Sequence, residues 1–144
     1  MLRVSGHRFD IDRYLRRSTS LSATKAYGRG DAEFPASQPE GARQLTSGPN
    51  FTVSRRDFDN FRGQVRDAIR FLQRNRLEVR RLRRFPGVER AVLDFGVEPN
   101  EDAAVHSWNF SEALVALARD IPLELEVSVY LAIKRRRPRG SNAK

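Results

Sequence analysis

The sequence contains no cysteine among its 144 residues. A chain without cysteine forms no disulfide, offers no thiol nucleophile and builds no thiolate metal site. Its stability must therefore come from packing and hydrogen bonds, and a cytoplasmic location is the simplest expectation.

Histidine is nearly as scarce, since only His7 and His106 occur. A transition-metal site would need both imidazoles to converge with a carboxylate, yet neither histidine lies in a ligand-type spacing. The carboxylates that could complete such a site are Asp94, Glu98, Glu101 and Asp102. We predict surface or capping histidines, no metal and no cofactor.

Catalytic motifs are lacking as well. There is no Gly-x-Ser-x-Gly elbow, and the segment 28–30 lacks the Lys-Ser/Thr pair that completes a phosphate loop. Asp94 is the first candidate for acid–base chemistry, but a strand aspartate in an arginine-rich chain is expected to form an ion pair. We predict no enzyme activity; a small hydrolase or transferase built around the acidic loop 98–106 is the least favoured alternative.

Long apolar runs are absent, and no window approaches the roughly 20 residues that cross a bilayer. The richest stretch, 123–133, is interrupted by Glu124 and Glu126. The amino terminus lacks the apolar segment of a secretory signal. We therefore expect no membrane partner.

Positive charge is abundant, with a net charge of +9 that is unevenly placed. Residues 55–84 hold eleven basic and four acidic residues, and residues 134–144 hold six basic and none acidic. The basic tail, which includes Arg135, Arg136 and Arg137, could displace counterions from phosphates. It contains no aromatic ring for base stacking, so nucleic-acid binding through it should be weak, nonspecific and salt-sensitive.

The strongest helix pattern covers residues 54–73. Ser54 and Asp57 form a capping-box-like start, and apolar residues then recur at helical spacing. These apolar residues are Phe58, Phe61, Val65, Ala68, Ile69 and Leu72. Four arginines repeat every four residues and predict a basic ridge beside the apolar stripe. They are Arg62, Arg66, Arg70 and Arg74.

Alternating apolar residues predict strands at 2–4, 88–97 and 123–133. A short helix at 10–17 should bury Ile11, Tyr14 and Leu15 together. A further helix is marked by Phe110, Leu114 and Leu117, with Asn109 or Ser107 as its cap and Pro122 beyond its end. Leu77, Leu82 and Phe85 continue or restart the long helix.

Residues 18–50 are rich in Ser, Gly and Pro and predict an irregular segment, with a weak extended piece near 25–29 and a short strand at 51–53. The element order favours a single α+β domain over residues 1–133, with helices packed on one face of a mostly antiparallel sheet. Residues 134–144 are predicted to be a disordered basic tail.

The segments Leu2-Arg-Val-Ser-Gly6, Phe9-Asp-Ile-Asp12 and Ser22-Ala-Thr-Lys-Ala-Tyr27-Gly-Arg-Gly30-Asp31 resemble the bacterial domain of unknown function 4279 family. Phe110-Ser-Glu-Ala-Leu114 and the strand 123–130 resemble its second half. The resemblance covers most of residues 1–132. It implies an α+β fold and no particular activity.

Three aromatic residues are candidates for recognition, because exposed rings dominate binding energies. Trp108 precedes a helix, Tyr27 lies in the polar segment, and Tyr130 stands among the polar positions of the last strand. The favoured prediction is a non-enzymatic protein-interaction module that binds a partner or its own copy through the sheet face or edge. The alternative is a nucleic-acid-associated protein that uses the arginine ridge and tail.

Overall fold

The structure, a computed structural model, describes residues 1–17, 20–99 and 104–131. The predicted basic tail, with Arg135, Arg136 and Arg137, lies outside the described residues, as do Glu101 and Asp102.

A five-stranded sheet forms the centre of the molecule. Its strands in chain order are β1 (Leu2–Ser5), β2 (Lys25–Tyr27), β5 (Gly48–Phe51), β6 (Arg90–Val97) and β7 (Glu124–Val129). A separate two-stranded hairpin consists of β3 (Ala32–Phe34) and β4 (Gln38–Arg43). The helices are α1 (Ile11–Arg17), α2 (Phe61–Arg74), α3 (Arg76–Arg83) and α4 (Glu112–Asp120).

The strands of the large sheet lie in the order β2-β5-β1-β6-β7. β1 is antiparallel to both neighbours, with Leu2 opposite Phe51 on one side and Leu93 on the other. β7 is parallel to β6, because α4 connects these two strands as a crossover. β2 and β7 are therefore the two edges of the sheet.

The core lies on one side of this sheet. Side chains alternate between the faces of a strand, so Leu2 and Val4 face the core with Leu93 and Phe95 of the neighbouring strand. Each of the four helices contributes buried apolar residues to the same cluster. An α+β domain with helices on one face of a mostly antiparallel sheet is thus confirmed, with one parallel pair of strands.

The prediction that the long helix begins at Ser54 is wrong. α2 begins at Phe61, and the side chain of Asn60 caps it by accepting a hydrogen bond from the Gly63 N–H. The Ser54 hydroxyl instead donates to Asp67 at 2.8 Å. Phe58 consequently lies before the helix, outside the apolar stripe.

The prediction of an irregular segment at 18–50 is also wrong, because four strands lie within it or begin in it. Pro49 lacks the N–H that a strand ladder uses. It is nevertheless buried inside β5. The weak extended piece near 25–29 is present as β2.

Other helix details differ from the pattern. α4 is capped by Ser111, whose hydroxyl accepts from the Leu114 N–H, rather than by Asn109 or Ser107. In α1 only Tyr14 is buried, and Leu15 is exposed. The helix restarts after Asn75 as α3. Within the described residues, no helix combines the length and the apolar character that crossing a membrane requires.

Candidate functional site

Apart from Arg62 and Trp108, the predicted site residues do not converge. The described ones lie on three separate surfaces: the outer side of α2, a cleft beside the start of that helix, and the edge of the sheet at β7. Tyr27 stands apart from all three, half-buried on the opposite edge strand β2, where its backbone pairs with Gly48.

The four arginines of α2 are all exposed, as the ridge predicted. Because a helix turns by about 100° per residue, each step of four residues rotates the side chain about 40° around the axis. The series therefore winds from one flank of the helix at Arg62 to the other flank at Arg74. Arg70 lies 3.9 Å from Asp67. Arg62, Arg66 and Arg74 have no ion pair within the part of the chain that the structure describes.

A carboxylate of α2 organises the segment that precedes the helix. Asp67 accepts the Ser54 hydroxyl at 2.8 Å and lies 3.4 Å from the Nε of Arg56. The hydrogen bond from Ser54 is the largest cause that lowers the pKa of Asp67 below its usual range, and Arg56 adds to it. This carboxylate offsets part of the positive charge of Arg56 and Arg70, and it holds Ser54 and Arg56 against the helix.

Arg62 and Trp108 line a common cleft of about 370 Å³. The other lining residues are Asp59, Asn60, Phe61, Ser107 and Asn109. The rings of His106 and Trp108 stack with centroids 5.8 Å apart and an interplanar angle of 11°. Trp108 also packs against the core. It therefore serves as packing on one side and as a wall of the cleft on the other.

The sheet face away from the helices carries a network of ion pairs. Arg3 contacts Glu126 at 2.5 Å and Asp94 at 3.7 Å. Arg90 contacts Glu124 at 2.7 Å and Glu126 at 3.6 Å. The hydrogen bond from Arg90 is the main reason that the pKa of Glu124 is lowered.

Asp94 has the structural environment of an ion pair, as the sequence predicted. It accepts a hydrogen bond from the Ser128 hydroxyl at 2.7 Å in addition to its contact with Arg3. His7 is held by Glu89 at 2.7 Å, whereas the ring of His106 stacks on Trp108. Among residues 1–17, 20–99 and 104–131, no three metal-ligating side chains come together.

Tyr130 lies on the face away from the helices, directly after β7. Its ring stacks on Phe58 with centroids 4.5 Å apart and an interplanar angle of 6°. Both rings lie over Gly96, where an added Cβ would approach the Phe58 ring to 2.7 Å. About half of each of these two side chains is exposed, 44% for Phe58 and 50% for Tyr130. This stacked pair, with Val129 and Leu131 exposed on the opposite face, is called here the β7 apolar end.

The outer side of the β7 backbone pairs with no other strand among the described residues. The Tyr130 N–H donates to the Val97 carbonyl at 2.8 Å, so its peptide group points toward β6. Because strand residues alternate, the peptide groups of Leu125, Val127 and Val129 point away from β6. No strand of the described residues pairs with this side. Within residues 1–17, 20–99 and 104–131, three donors and three acceptors at this edge therefore have no backbone partner.

Sequence reasoning placed Tyr130 on the polar face but missed its partner Phe58. The missed signal was the glycine at position 96, since a strand glycine often marks the close approach of another group. The free edge of β7 was anticipated only in general terms, because strand order cannot be read from one strand.

Comparison of the chain with protein-family models, with curated proteins and with solved structures finds no match. The resemblance to the domain of unknown function 4279 family therefore stays a prediction. The function has to be argued from the surfaces described above.

Proposed function

We propose that this protein is a non-enzymatic interaction module that binds another protein chain by strand addition along the outer edge of β7. The observation that carries the proposal is the row of peptide groups at Leu125, Val127 and Val129 that no other described strand pairs with. Such an edge is a template for another strand. Natural proteins usually protect edges with charges, bulges or proline, and the half of β7 that ends at Val129 has none of these.

The β7 apolar end adds side-chain contacts to the backbone pairing. Aromatic rings supply a large share of interface energy when a partner removes them from water. Phe58 and Tyr130 are already fixed by their mutual stacking, so little conformational entropy is lost when they are covered. The ion pairs on the rest of this face leave fewer free charges for a partner to neutralise.

A proline tests the role of the edge. Val129→Pro removes an outward N–H while leaving the bonds to β6 in place, since proline is tolerated on the free side of an edge strand. Val129→Thr is the matched control because it keeps the N–H and the branched shape. Proteins that co-purify with the tagged chain from its native host should be lost with proline and retained with threonine. Equal retention by both variants would contradict strand addition.

Tyr130→Ala tests the apolar end separately. We expect it to weaken association by about tenfold or more, as removal of an exposed aromatic anchor commonly does. The α1 substitution Leu15→Ala is a control, because Leu15 is also exposed but lies away from β7. Association unaffected by Tyr130→Ala would remove this ring from the interface.

A second candidate function is binding to nucleic acid, and it is favoured by the arginines of α2. Arg62, Arg66 and Arg74 are exposed and have no carboxylate partner among the described residues, so they are free to contact phosphates. Arg62 also lies in the cleft walled by Trp108, which offers a ring near a cation. Binding of the full chain and of a chain lacking residues 134–144 to mixed DNA and RNA pools, at two salt concentrations, tests this candidate. We expect weak, salt-sensitive binding in which the tail supplies most of the affinity and the arginines of α2 a smaller part, so that binding vanishes without the tail. Tight binding that survives the deletion would instead rank this function first and assign it to the arginines of α2.

A further inference from the structure

We infer that the strand added to β7 is β7 of a second copy of this chain, antiparallel and with the two-fold axis at Val127. The inference rests on the proposed function and names its partner. It follows from the pattern of side chains along residues 123–131, which is self-complementary in only some registers.

The core-facing row of this strand is symmetric about Val127. In a pairing centred there, Leu123 meets Leu131, Leu125 meets Val129, and Val127 meets its own copy. Leu123, Leu125 and Val127 are only half-buried, although they pack against the core, and Val129 and Leu131 are 48% and 74% exposed. The pairing therefore covers an apolar row that the rest of the described chain leaves partly open to water.

The row on the other face is asymmetric in charge, and this asymmetry disfavours an axis nearer to the start of the strand. Glu124 and Glu126 occupy one half, whereas Ser128 and Tyr130 occupy the other. A two-fold axis at Val127 sets Glu126 opposite Ser128 and Glu124 opposite Tyr130. Shifting the axis to position 126 sets Glu126 against its own copy, and shifting it to 125 sets Glu124 against Glu126. Like charges directly opposite each other destabilise a strand pair.

The hydrogen bonds are compatible with this register. Leu125, Val127 and Val129 all direct their N–H and C=O groups toward the second copy. In this register Leu125 of one copy exchanges hydrogen bonds with Val129 of the other, and Val127 exchanges them with its own counterpart. All of the unpaired edge groups at these three residues are then satisfied. Residues 126 and 128 form the alternating pairs without hydrogen bonds, where the Cα atoms of opposite residues lie about 4.5 Å apart.

The absence of cysteine allows a direct test of the register. In the double variant Glu126→Cys/Ser128→Cys, each new thiol faces a thiol of the second copy at a Cα separation that suits a disulfide. We expect mild oxidation to convert most of this variant to a covalent dimer on a non-reducing gel. The control Glu124→Cys/Ser128→Cys has the same number of thiols, but in this register they face Tyr130 and Glu126, so it should remain mostly monomeric.

Other results would overturn the register. Preferred cross-linking of Glu124→Cys/Ser128→Cys would place the axis at 126, and efficient cross-linking of Ser128→Cys alone would place it at 128. Circular dichroism of each variant before oxidation checks that the fold is intact, because Glu126 and Ser128 lose contacts to Arg3 and Asp94.

Amide exchange of the unmodified chain separates this inference from the proposed function. Dimerisation should slow exchange at Leu125, Val127 and Val129 by about tenfold or more as the concentration rises through the dissociation constant. A monomer up to about 100 µM by sedimentation would overturn self-pairing. In that case, slower exchange of the same three amides in the presence of a co-purified partner would still support the proposed strand addition to β7. Unprotected amides in both preparations would overturn the inference and the proposed function together.

Discussion

The matched pair Phe61→Ala and Phe58→Ala gives the sharpest test of the helix boundary. The sequence pattern assigns both rings to one buried stripe, whereas the structure buries only Phe61. Its ring packs between Phe95 and Phe110 at centroid distances of 5.6 and 5.5 Å, and 8% of the residue is exposed. Phe58 is 44% exposed and contacts chiefly Tyr130.

The same chemical change should therefore have very different costs. Removing a buried phenylalanine ring lowers the free energy of unfolding by about 3–5 kcal/mol. Removing a half-exposed stacked ring should cost only about 1 kcal/mol. With a urea dependence of about 2 kcal/mol/M, the unfolding midpoint should fall by about 2 M for Phe61→Ala and by about 0.5 M for Phe58→Ala.

Urea unfolding followed by far-ultraviolet circular dichroism measures both midpoints. Phe61→Asp should be more damaging than Phe61→Ala, since it also buries a charge without a partner. Ile69→Asp should cost less than Phe61→Asp, because Ile69 is only half-buried. Equal midpoint shifts for the two alanine variants would refute the boundary at Phe61 and restore the longer helix.

Three further predictions concern single side chains. Asn60→Ala should lower the free energy of unfolding by about 1 kcal/mol, as loss of an N-cap does, and urea unfolding measures it. Ser54→Ala should raise the pKa of Asp67 toward its ordinary value, because the hydroxyl stabilises the ionised form, and a carboxyl NMR titration measures the pKa. A lowered folded pKa stabilises the protein above about pH 4 and loses that effect as the pH falls, so Ser54→Ala should also reduce the loss of stability in acid. Gly96→Ala should displace the ring of Phe58, from which the new methyl would lie 2.7 Å, and NMR ring-current shifts report the displacement. An unchanged midpoint, an unchanged pKa or unchanged shifts would contradict the respective assignment.

Apolar periodicity predicted the parts of the fold that bury a regular face. In β6, Leu93 and Phe95 face the core as their alternation indicated, and in α2 the positions of Val65 and Leu72 are buried as their spacing indicated. These elements could be predicted because each sequence pattern has the same period as the backbone it forms.

The start of α2 could not be predicted from local sequence. Ser54 resembles a cap, but its hydroxyl is taken by Asp67, which lies a long way along the helix. Gln64 donates to the Gly96 carbonyl at 2.7 Å and to the Asp57 carbonyl at 3.2 Å, and so holds the preceding segment against the end of β6. These contacts join distant parts of the chain, and no spacing rule anticipates them.

The strands within residues 18–50 lacked a signal for a different reason. β3 and β4 form a hairpin that is separate from the large sheet, and β4 is mostly exposed, so its residues need not alternate in polarity. β5 pairs with strands on both sides and buries Phe51, although it contains Pro49, a residue type that is uncommon inside a sheet. Backbone pairing of β5 with β1 and β2 therefore outweighs the low strand preference of Pro49.

The predicted site residues could be found individually but not as sites. The spacing of four identified every exposed arginine of α2, yet it could not reveal that the series winds around the helix and brings Arg62 alone to Trp108. The alternation of residues 123–133 predicted the polar position of Tyr130. Its stack with Phe58 and the outer edge of β7 beside it could not be predicted, because both depend on strand order. Tyr27 lies at the opposite edge and joins neither surface.

The two candidate functions use surfaces that do not compete, and this follows from the symmetry of the proposed dimer. A two-fold axis that continues the sheet through β7 stands perpendicular to it, so the helices of both copies lie on the same side. Pairing at β7 leaves Arg66 and the other arginines of α2 accessible in both copies. Two linked sites bind a long polyanion more tightly than either one does alone. Val129→Pro should therefore reduce the affinity for long nucleic acid only if pairing exists. Arg66→Gln should weaken that affinity and, when added to the Glu126→Cys/Ser128→Cys variant, leave the yield of cross-linked dimer unchanged. Loss of cross-linking in this combined variant would mean that α2 contributes to the dimer contact, and the two surfaces would then have to be treated as one.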